Sequence, residues 1–318
     1  MKKEKKEENE NRHGAGVLPA LLRWQGAKNK MVGNIIPIIE KIPRRLYVEP
    51  FGGSGAVFFH KEPENHEVYN DLNSLLANLF RVIRSTEKTR LLSDLSAVFP
   101  MSREFWNELR DICRAFLRGD DAACAELIEA ANLADYPRDV VLAWAFFYCQ
   151  NTGFGGGFLS RYGGGEKNTD THKSWGGNTY RNKCLFFDAF SARFSRVNVE
   201  NVDAFSIIER YDAPETLFYI DPPYDVECSA DYETGWTLED SRRLVETLKG
   251  IKGSAVLSCY DSTLYQELFS SGYKRNQFSA SMSICRQKRE PRTETVYFRR
   301  SSWAEGLAAA VKTKTFLF

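Results

Sequence analysis

The stretch LYVEPFGGSGAVFF, residues 46–59, carries the clearest signal for the fold of this 318-residue chain. Residues 46–49 have the apolar character of a short strand, and the glycine-rich turn after them leads into residues 56–59, which begin a helix. A second short strand at residues 68–69 precedes a helical apolar spacing over residues 72–83. This alternation predicts the start of a doubly wound α/β sheet.

The alternation is interrupted between residues 85 and 188. Helical patterns cover residues 102–117, 122–133 and 138–150, and a polar, glycine-rich stretch follows them. A long irregular stretch inside a compact domain is usually functional. We therefore expect an inserted, mostly helical domain that includes a mobile loop.

Strand and helix patterns return after the interruption. Strands are predicted at residues 196–202, 217–220 and 254–258, a helix at 238–249, and a closing antiparallel hairpin from about residues 273 to 299. The predicted division is a disordered tail (1–16), a sheet domain in two pieces (17–84 and 189–303), the insert (85–188) and a C-terminal tail (304–318).

The second prominent motif is Asp221-Pro222-Pro223-Tyr224, directly after an apolar strand pattern. The two prolines fix φ and remove two backbone donors, so the sheet cannot continue through them. The result is a rigid strand end that offers a carboxylate, carbonyl oxygens and a flat ring. Such a site suits a planar amine such as the exocyclic amine of a nucleobase, although a turn with an incidental Asp and Tyr is the alternative.

Composition limits the classes of partner. The net charge is only +1, so nucleic-acid binding would require locally clustered positive charge. No apolar run approaches the ~20 residues that span a bilayer, so we expect no membrane segment. The chain has scattered cysteines, no Cys-x-x-Cys pair and few histidines, which predicts reduced thiols, no metal site and a cytoplasmic location.

Together the motifs resemble the Dam-like DNA adenine-N6 methyltransferases. Arg23-Trp24-Gln25-Gly26-Ala27-Lys28 is similar to their Lys-Trp-x-Gly-Gly-Lys signature, with Arg23 and Ala27 as departures. Residues 49–56 resemble their glycine-rich loop, and Asp221 to Tyr224 resemble their catalytic motif. The order of these motifs and the place of the insert also match. The resemblance implies a Rossmann-like methyltransferase sheet with an inserted, mostly helical target-recognition domain.

The resemblance implies S-adenosylmethionine (SAM) as the cofactor. Small residues in a turn after a strand allow backbone N–H groups to approach a ligand, and an acid after the second strand often holds ribose hydroxyls. Asp71 is that acid, although it or Asn70 is also a candidate cap for the next helix. The implied cofactor-binding residues are Trp24, Lys28, Glu49, Phe51, Gly52, Gly53, Gly55, Asp71, Asp203 and Asp221.

The implied reaction is methyl transfer to the N6 amine of an adenine that has left double-stranded DNA. Asp221 and the Pro222 carbonyl would accept the amine hydrogens, Pro223 would stiffen the strand end, and Tyr224 would stack on the base. Gln150 and Asn151 are candidates for reading base edges, since Asn and Gln suit adenine. The candidate phosphate contacts are Arg161, Lys167, Arg181, Arg286, Lys288 and Arg289.

Several alternatives remain open at this point. Cytosine-N4 methyltransferases share the fold but usually carry Ser in place of Asp221. RNA and protein-glutamine methyltransferases are further rivals, and a catalytically silent SAM- or DNA-binding regulator belongs to a different class. A GxGxxG oxidoreductase is disfavoured by the spacing of residues 52–55. The resemblance implies a monomer and leaves open a restriction endonuclease as a partner, and the recognition sequence is not predicted.

Overall fold

A computed structural model of the chain describes residues 18–24, 26–99, 102–153, 177–223, 236–280 and 292–315. Within these ranges the strands are Leu46–Glu49 (β1), Glu67–Asn70 (β2), Asn198–Glu200 (β3), Thr216–Ile220 (β4), Ser254–Tyr260 (β5), Lys274–Ala280 (β6) and Arg292–Arg299 (β7). The helices in the same ranges are Val32–Glu40 (α1), Ala56–His60 (α2), Ser74–Arg84 (α3), Thr86–Val98 (α4), Arg103–Leu117 (α5), Asp121–Ala130 (α6), Arg138–Thr152 (α7), Gly177–Cys184 (α8), Phe187–Phe194 (α9), Ala204–Tyr211 (α10), Leu238–Gly250 (α11), Thr263–Gln266 (α12) and Ser302–Thr315 (α13).

The strands form one mostly parallel sheet in the order β3-β2-β1-β4-β5-β7-β6. β1 to β5 pair in parallel, whereas β7 is antiparallel to both β5 and β6. This confirms the predicted doubly wound α/β class and the closing antiparallel hairpin. The chain runs outward from β1 to β2 and β3 on one side, and from β4 to β5 on the other. Ligands of such sheets bind at the carboxyl ends of the strands where this direction switches.

One face of the sheet forms an apolar core. Val48, Phe218 and Leu257 pack in the same buried cluster as residues of α10 and α11. Because side chains alternate along a strand, the neighbouring residues Glu49 and Tyr219 lie on the opposite face. The sheet therefore has an apolar face that secures the fold and a more polar face near its carboxyl edge.

Close contacts divide the chain into two compact units. The helical unit comprises the described residues within Met1–Lys30, Gly53–Pro63 and Asn73–Val197, and the sheet unit comprises those within Met31–Gly52, Glu64–Leu72 and Asn198–Phe318. At the centre of the helical unit, α7 is buried on all sides and contacts α3, α4 and α5. This division assigns α2, α3 and α9 to the helical unit, whereas the predicted division places α2, α3 and residues 189–194 of α9 in the sheet domain. The functional division into catalytic domain and insert stays a prediction.

Three local predictions need correction. The cap of α3 is Asn73, whose side chain accepts a hydrogen bond from the Leu76 amide at 3.1 Å, so the predicted cap at Asn70 or Asp71 is wrong. The predicted strand over residues 196–202 shrinks to Asn198–Glu200 at the sheet edge. Gly177–Cys184 is a helix where an irregular loop was expected, and the rest of that loop, residues 154–176, lies outside the described residues.

Candidate active site

The glycine-rich turn after β1 depends on glycine at several positions. Gly53 and Gly55 have φ values of +51° and +68°, in the left-handed region that L side chains resist. Gly52 has no room for a side chain, because an added Cβ would lie 2.1 Å from Cε2 of Tyr69. At Gly52 the backbone of the turn therefore passes too close to the Tyr69 ring to allow any side chain.

The Trp24 segment tolerates its departure from the family signature. Gly26 has a φ of +76°, and Asn132 is the only non-glycine residue with a positive φ in the described ranges. Ala27 is therefore free of left-handed strain where the family signature has its second glycine. Lys28 is buried, and its Nζ donates a hydrogen bond to the Gly26 carbonyl at 3.2 Å.

One acidic residue, Glu49, stands at the carboxyl end of β1, and another, Asp71, directly follows β2. Glu49 is only 1% exposed and accepts a hydrogen bond from the Tyr47 hydroxyl at 2.7 Å. Burial raises the pKa of the Tyr69 phenol well above its usual range, and the charges of Asp71 and Glu49 raise it further. Tyr69 thus stays neutral, and both carboxylates lie close enough to influence it.

The motif acid Asp221 lies on the same side of the sheet. It follows β4 directly and is partly exposed, whereas Pro222 behind it is buried. Burial raises the pKa of the Tyr219 phenol, and the next largest causes are the charges of Asp221 and Glu49. The charges of Asp221 and Glu49 therefore both act on one buried phenol, and the two acids stand at the carboxyl ends of the paired strands β4 and β1. Tyr224 lies outside the described residues.

An aromatic cluster lines the same edge of the sheet unit. Phe51 meets the Trp236 ring edge-on with centroids 5.4 Å apart, and Phe205 stacks parallel to Trp236 at 6.1 Å. The Trp236 indole N–H donates to Ser241 Oγ at 2.8 Å, which fixes the ring. Sequence reasoning missed Trp236 and Phe205, since one aromatic before a helix and one inside it match no motif.

Asp203 lies at the start of α10. Its carboxylate caps the helix by accepting hydrogen bonds from the backbone amide and hydroxyl of Ser206 at 3.0 and 3.2 Å. The side chain is exposed, and Phe205 of the aromatic cluster follows it closely in the chain. Its predicted contact with the cofactor stays a prediction.

The predicted base readers Gln150 and Asn151 are buried at the end of α7. The Asn151 carbonyl oxygen accepts hydrogen bonds from the Arg23 amide at 3.0 Å and from Lys183 Nζ at 2.7 Å. The Asn151 amide donates to the Leu21 carbonyl at 3.3 Å, and Gln150 Nε2 donates to the Arg23 carbonyl at 2.8 Å. These bonds anchor the segment before Trp24, and base reading by Gln150 and Asn151 stays a prediction.

The basic residues proposed for DNA divide into two sets. Arg181 is exposed on α8, whereas its neighbour Lys183 is buried against Asn151. The remaining candidates lie outside the described residues: Arg161, Lys167, Arg286, Lys288 and Arg289.

We expect Lys183 to make stability depend on pH. Burial, followed by the charge of Arg23, lowers the pKa of Lys183 from 10.5 to about 7. Between these values the unfolded chain binds the proton that the folded chain has lost, so stability rises with pH by up to about 1.4 kcal/mol per pH unit. The check is urea unfolding from pH 6 to 9. Lys183→Met should remove this rise, whereas the control Arg181→Met on the same helix should keep it. Equal pH dependence in Lys183→Met and wild type would contradict the assignment.

Two features are absent from the described residues, namely a membrane-spanning helix and a cluster of metal-binding side chains. No helix in the described ranges is both long and apolar enough to cross a bilayer. Across the same residues, no three or more His, Cys, Asp or Glu side chains are grouped so that they could hold a metal ion.

The strand order, the glycine-rich turn after β1 and the acid after β4 define a Rossmann-like methyltransferase fold. The family model of the D12 class N6 adenine-specific DNA methyltransferases matches residues 24–284 of the sequence. The chain therefore belongs to this family. It is 25% identical over 281 residues to the DNA adenine methylases of two Vibrio cholerae strains, covering 84% of this chain and 90% of each relative. It is also 24% identical over 225 residues to the Type II methyltransferase M.MjaIII of Methanocaldococcus jannaschii, covering 64% of this chain and 68% of that protein.

Proposed function

We propose that the protein transfers a methyl group from SAM to the N6 amine of an adenine that has left double-stranded DNA. The observation that carries this proposal is the position of Asp221. It follows β4, which pairs with β1, the strand that ends at Glu49, and two prolines succeed it. Family membership supplies the adenine-specific methyl transfer.

The residues at this edge fit the chemical groups of SAM. Glu49 and Asp71 offer carboxylate oxygens for its ammonium group and ribose hydroxyls. Phe51 and Trp236, both partly exposed and backed by the buried Phe205, offer aromatic surface for its adenine ring. Among the remaining proposed contacts, Gly52, Gly53 and Gly55 would let backbone N–H groups of their turn approach the methionine carboxylate, and Asp203 would contact the adenine. Trp24, Lys28 and Asp221 complete the proposed set. When bound, SAM supplies a methyl group on a positively charged sulfur.

The role of Asp221 is to hold and stabilise the target amine. Its carboxylate and the Pro222 carbonyl accept the two amine hydrogens, which orients the nitrogen lone pair away from the ring plane. Positive charge develops on the nitrogen as it is methylated, and the carboxylate stabilises that charge. Tyr224 stacks on the base, and the excess proton leaves afterwards. This scheme needs no covalent intermediate between enzyme and base.

DNA binding is assigned to the basic residues. Arg181, exposed on α8, and the candidates Arg161, Lys167, Arg286, Lys288 and Arg289 would contact phosphates and orient the duplex. We further propose that the protein is a cytoplasmic monomer. A restriction endonuclease is its proposed partner.

The direct test is methyl transfer from labelled SAM to unmethylated double-stranded DNA, followed by nucleoside analysis. We expect the label in N6-methyladenine, with Asp221→Ala as the inactive control. Label in N4-methylcytosine would change the proposed base. SAM binding without label in any nucleic acid would instead favour a silent regulator.

A further inference from the structure

Asn70 connects two turns at the carboxyl edge of the sheet. Its side-chain amide donates to the Pro50 carbonyl at 2.9 Å and to the Val202 carbonyl at 3.0 Å. Its side-chain oxygen accepts from the Val202 amide at 3.0 Å. Its own backbone carbonyl accepts from the Gly52 amide at 2.8 Å. One residue at the end of β2 thus binds the turn after β1 and the turn after β3.

The connection is closed to solvent and specific for an amide. Asn70 is 0% exposed, so water cannot replace a lost partner. The Pro50 and Val202 carbonyl oxygens each require a hydrogen-bond donor, and the Val202 amide requires an acceptor. One side chain must supply all three partners. Among short side chains only asparagine supplies both. An apolar residue would leave all three backbone groups unpaired, and a carboxylate would face two carbonyl oxygens.

The two turns carry residues that the proposed function assigns to opposite parts of SAM. The turn after β1 contains Gly52, which is proposed to approach the methionine carboxylate, and the turn after β3 leads directly into Asp203, which is proposed to contact the adenine. We propose that Asn70 is a positioning residue that fixes the separation of these two turns before SAM binds. This inference rests on the proposed function, because it assigns the purpose of the connection to donor binding.

Fixing the separation matters because SAM would engage both turns at once. A fragment of SAM contacts only one of the two turns, so its binding does not depend on the distance between the turns. The whole ligand gains from the second contact only if the two turns are already correctly spaced, since ordering them upon binding costs free energy. Loss of Asn70 should therefore weaken whole SAM more than it weakens either part.

The first experiment is calorimetric binding of SAM, 5′-methylthioadenosine and methionine to wild type and to Asn70→Ala. We expect SAM to bind roughly tenfold more weakly to the variant, and each fragment to change by less than about threefold. The matched control is Asn73→Ala, which removes one helix-capping bond and leaves both turns intact. It should lower the melting temperature without changing the ratio of SAM to fragment affinity.

A second measurement uses wild type alone, so it survives a variant that does not fold. Hydrogen exchange should show the Gly52 and Val202 amides protected already in the absence of SAM. Amides that become protected only when SAM is added would overturn the inference, as would equal losses for SAM and both fragments in Asn70→Ala. Failure of wild type to bind SAM would instead count against the proposed function.

Discussion

We expect Asp221→Ala to lower the rate of methyl transfer by roughly 10²–10³-fold. This is the typical loss when an enzyme group that stabilises charge in the transition state is removed. The side chain is partly exposed at the end of β4, so its removal leaves no buried cavity in the sheet. The measurement is the single-turnover rate at saturating labelled SAM and DNA. Saturation matters because Asp221 is itself a proposed SAM contact, so some loss of SAM affinity is expected as well.

A conservative variant separates charge from hydrogen bonding at this position. Asp221→Asn retains an acceptor oxygen but no charge, so its rate should fall between those of wild type and Asp221→Ala. Asp135→Ala, at an exposed carboxylate in the helical unit, is the matched control and should behave as wild type. Turnover close to normal in Asp221→Ala, with a normal melting temperature, would disprove the assigned role.

Gly52→Ala should impair folding and SAM binding together. The new methyl group would lie 2.1 Å from Cε2 of Tyr69, a ring that is 0% exposed and cannot swing into solvent. Overpacking of this kind costs typically ~1–3 kcal/mol, and the turn must shift to relieve it. We expect a lower melting temperature and SAM binding weakened by more than about tenfold.

A second substitution tests whether the collision with Tyr69 is the cause. Tyr69→Leu shortens the obstructing side chain, so the double variant should recover part of the stability that Gly52→Ala loses, in a double-mutant cycle. Gly33→Ala is the control, because nothing lies within 4 Å of the added methyl group in α1. Simple additivity of the two single substitutions would show that the collision is not the source of the defect.

The parts of the fold that could be predicted depend on local patterns. β1 and the glycine-rich turn are encoded within a few residues, and the predicted strand 46–49 coincides with Leu46–Glu49. The helix Val32–Glu40 was missed because Pro37 interrupts its pattern, and Thr86–Val98 because its apolar spacing is weak. The placement of β7 between β5 and β6 depends on pairing between distant strands, so the sequence indicates the hairpin but not the strand order.

The candidate site shows the same limit. Asp221 and Gly52 belong to contiguous motifs that follow the paired strands β4 and β1, so their placement at one edge follows from the order of a parallel sheet. The burial of Gln150 depends on the Arg23 carbonyl, a partner 127 residues away in sequence, and no local pattern reports it. Asn70 likewise reads as an ordinary strand-end residue until Val202, 132 residues away, is brought beside it.

The assignment of α2 and α3 to the helical unit limits how this family can be recombined. Both helices connect strands of the sheet along the chain, yet α3 packs against α4, α7 and α9. A graft of residues 85–188 from a relative would give α3 new packing partners at a fully buried surface. A chimera that exchanges residues 85–188 would therefore have to exchange α3 and α9 with them, so this segment is not an independently replaceable module.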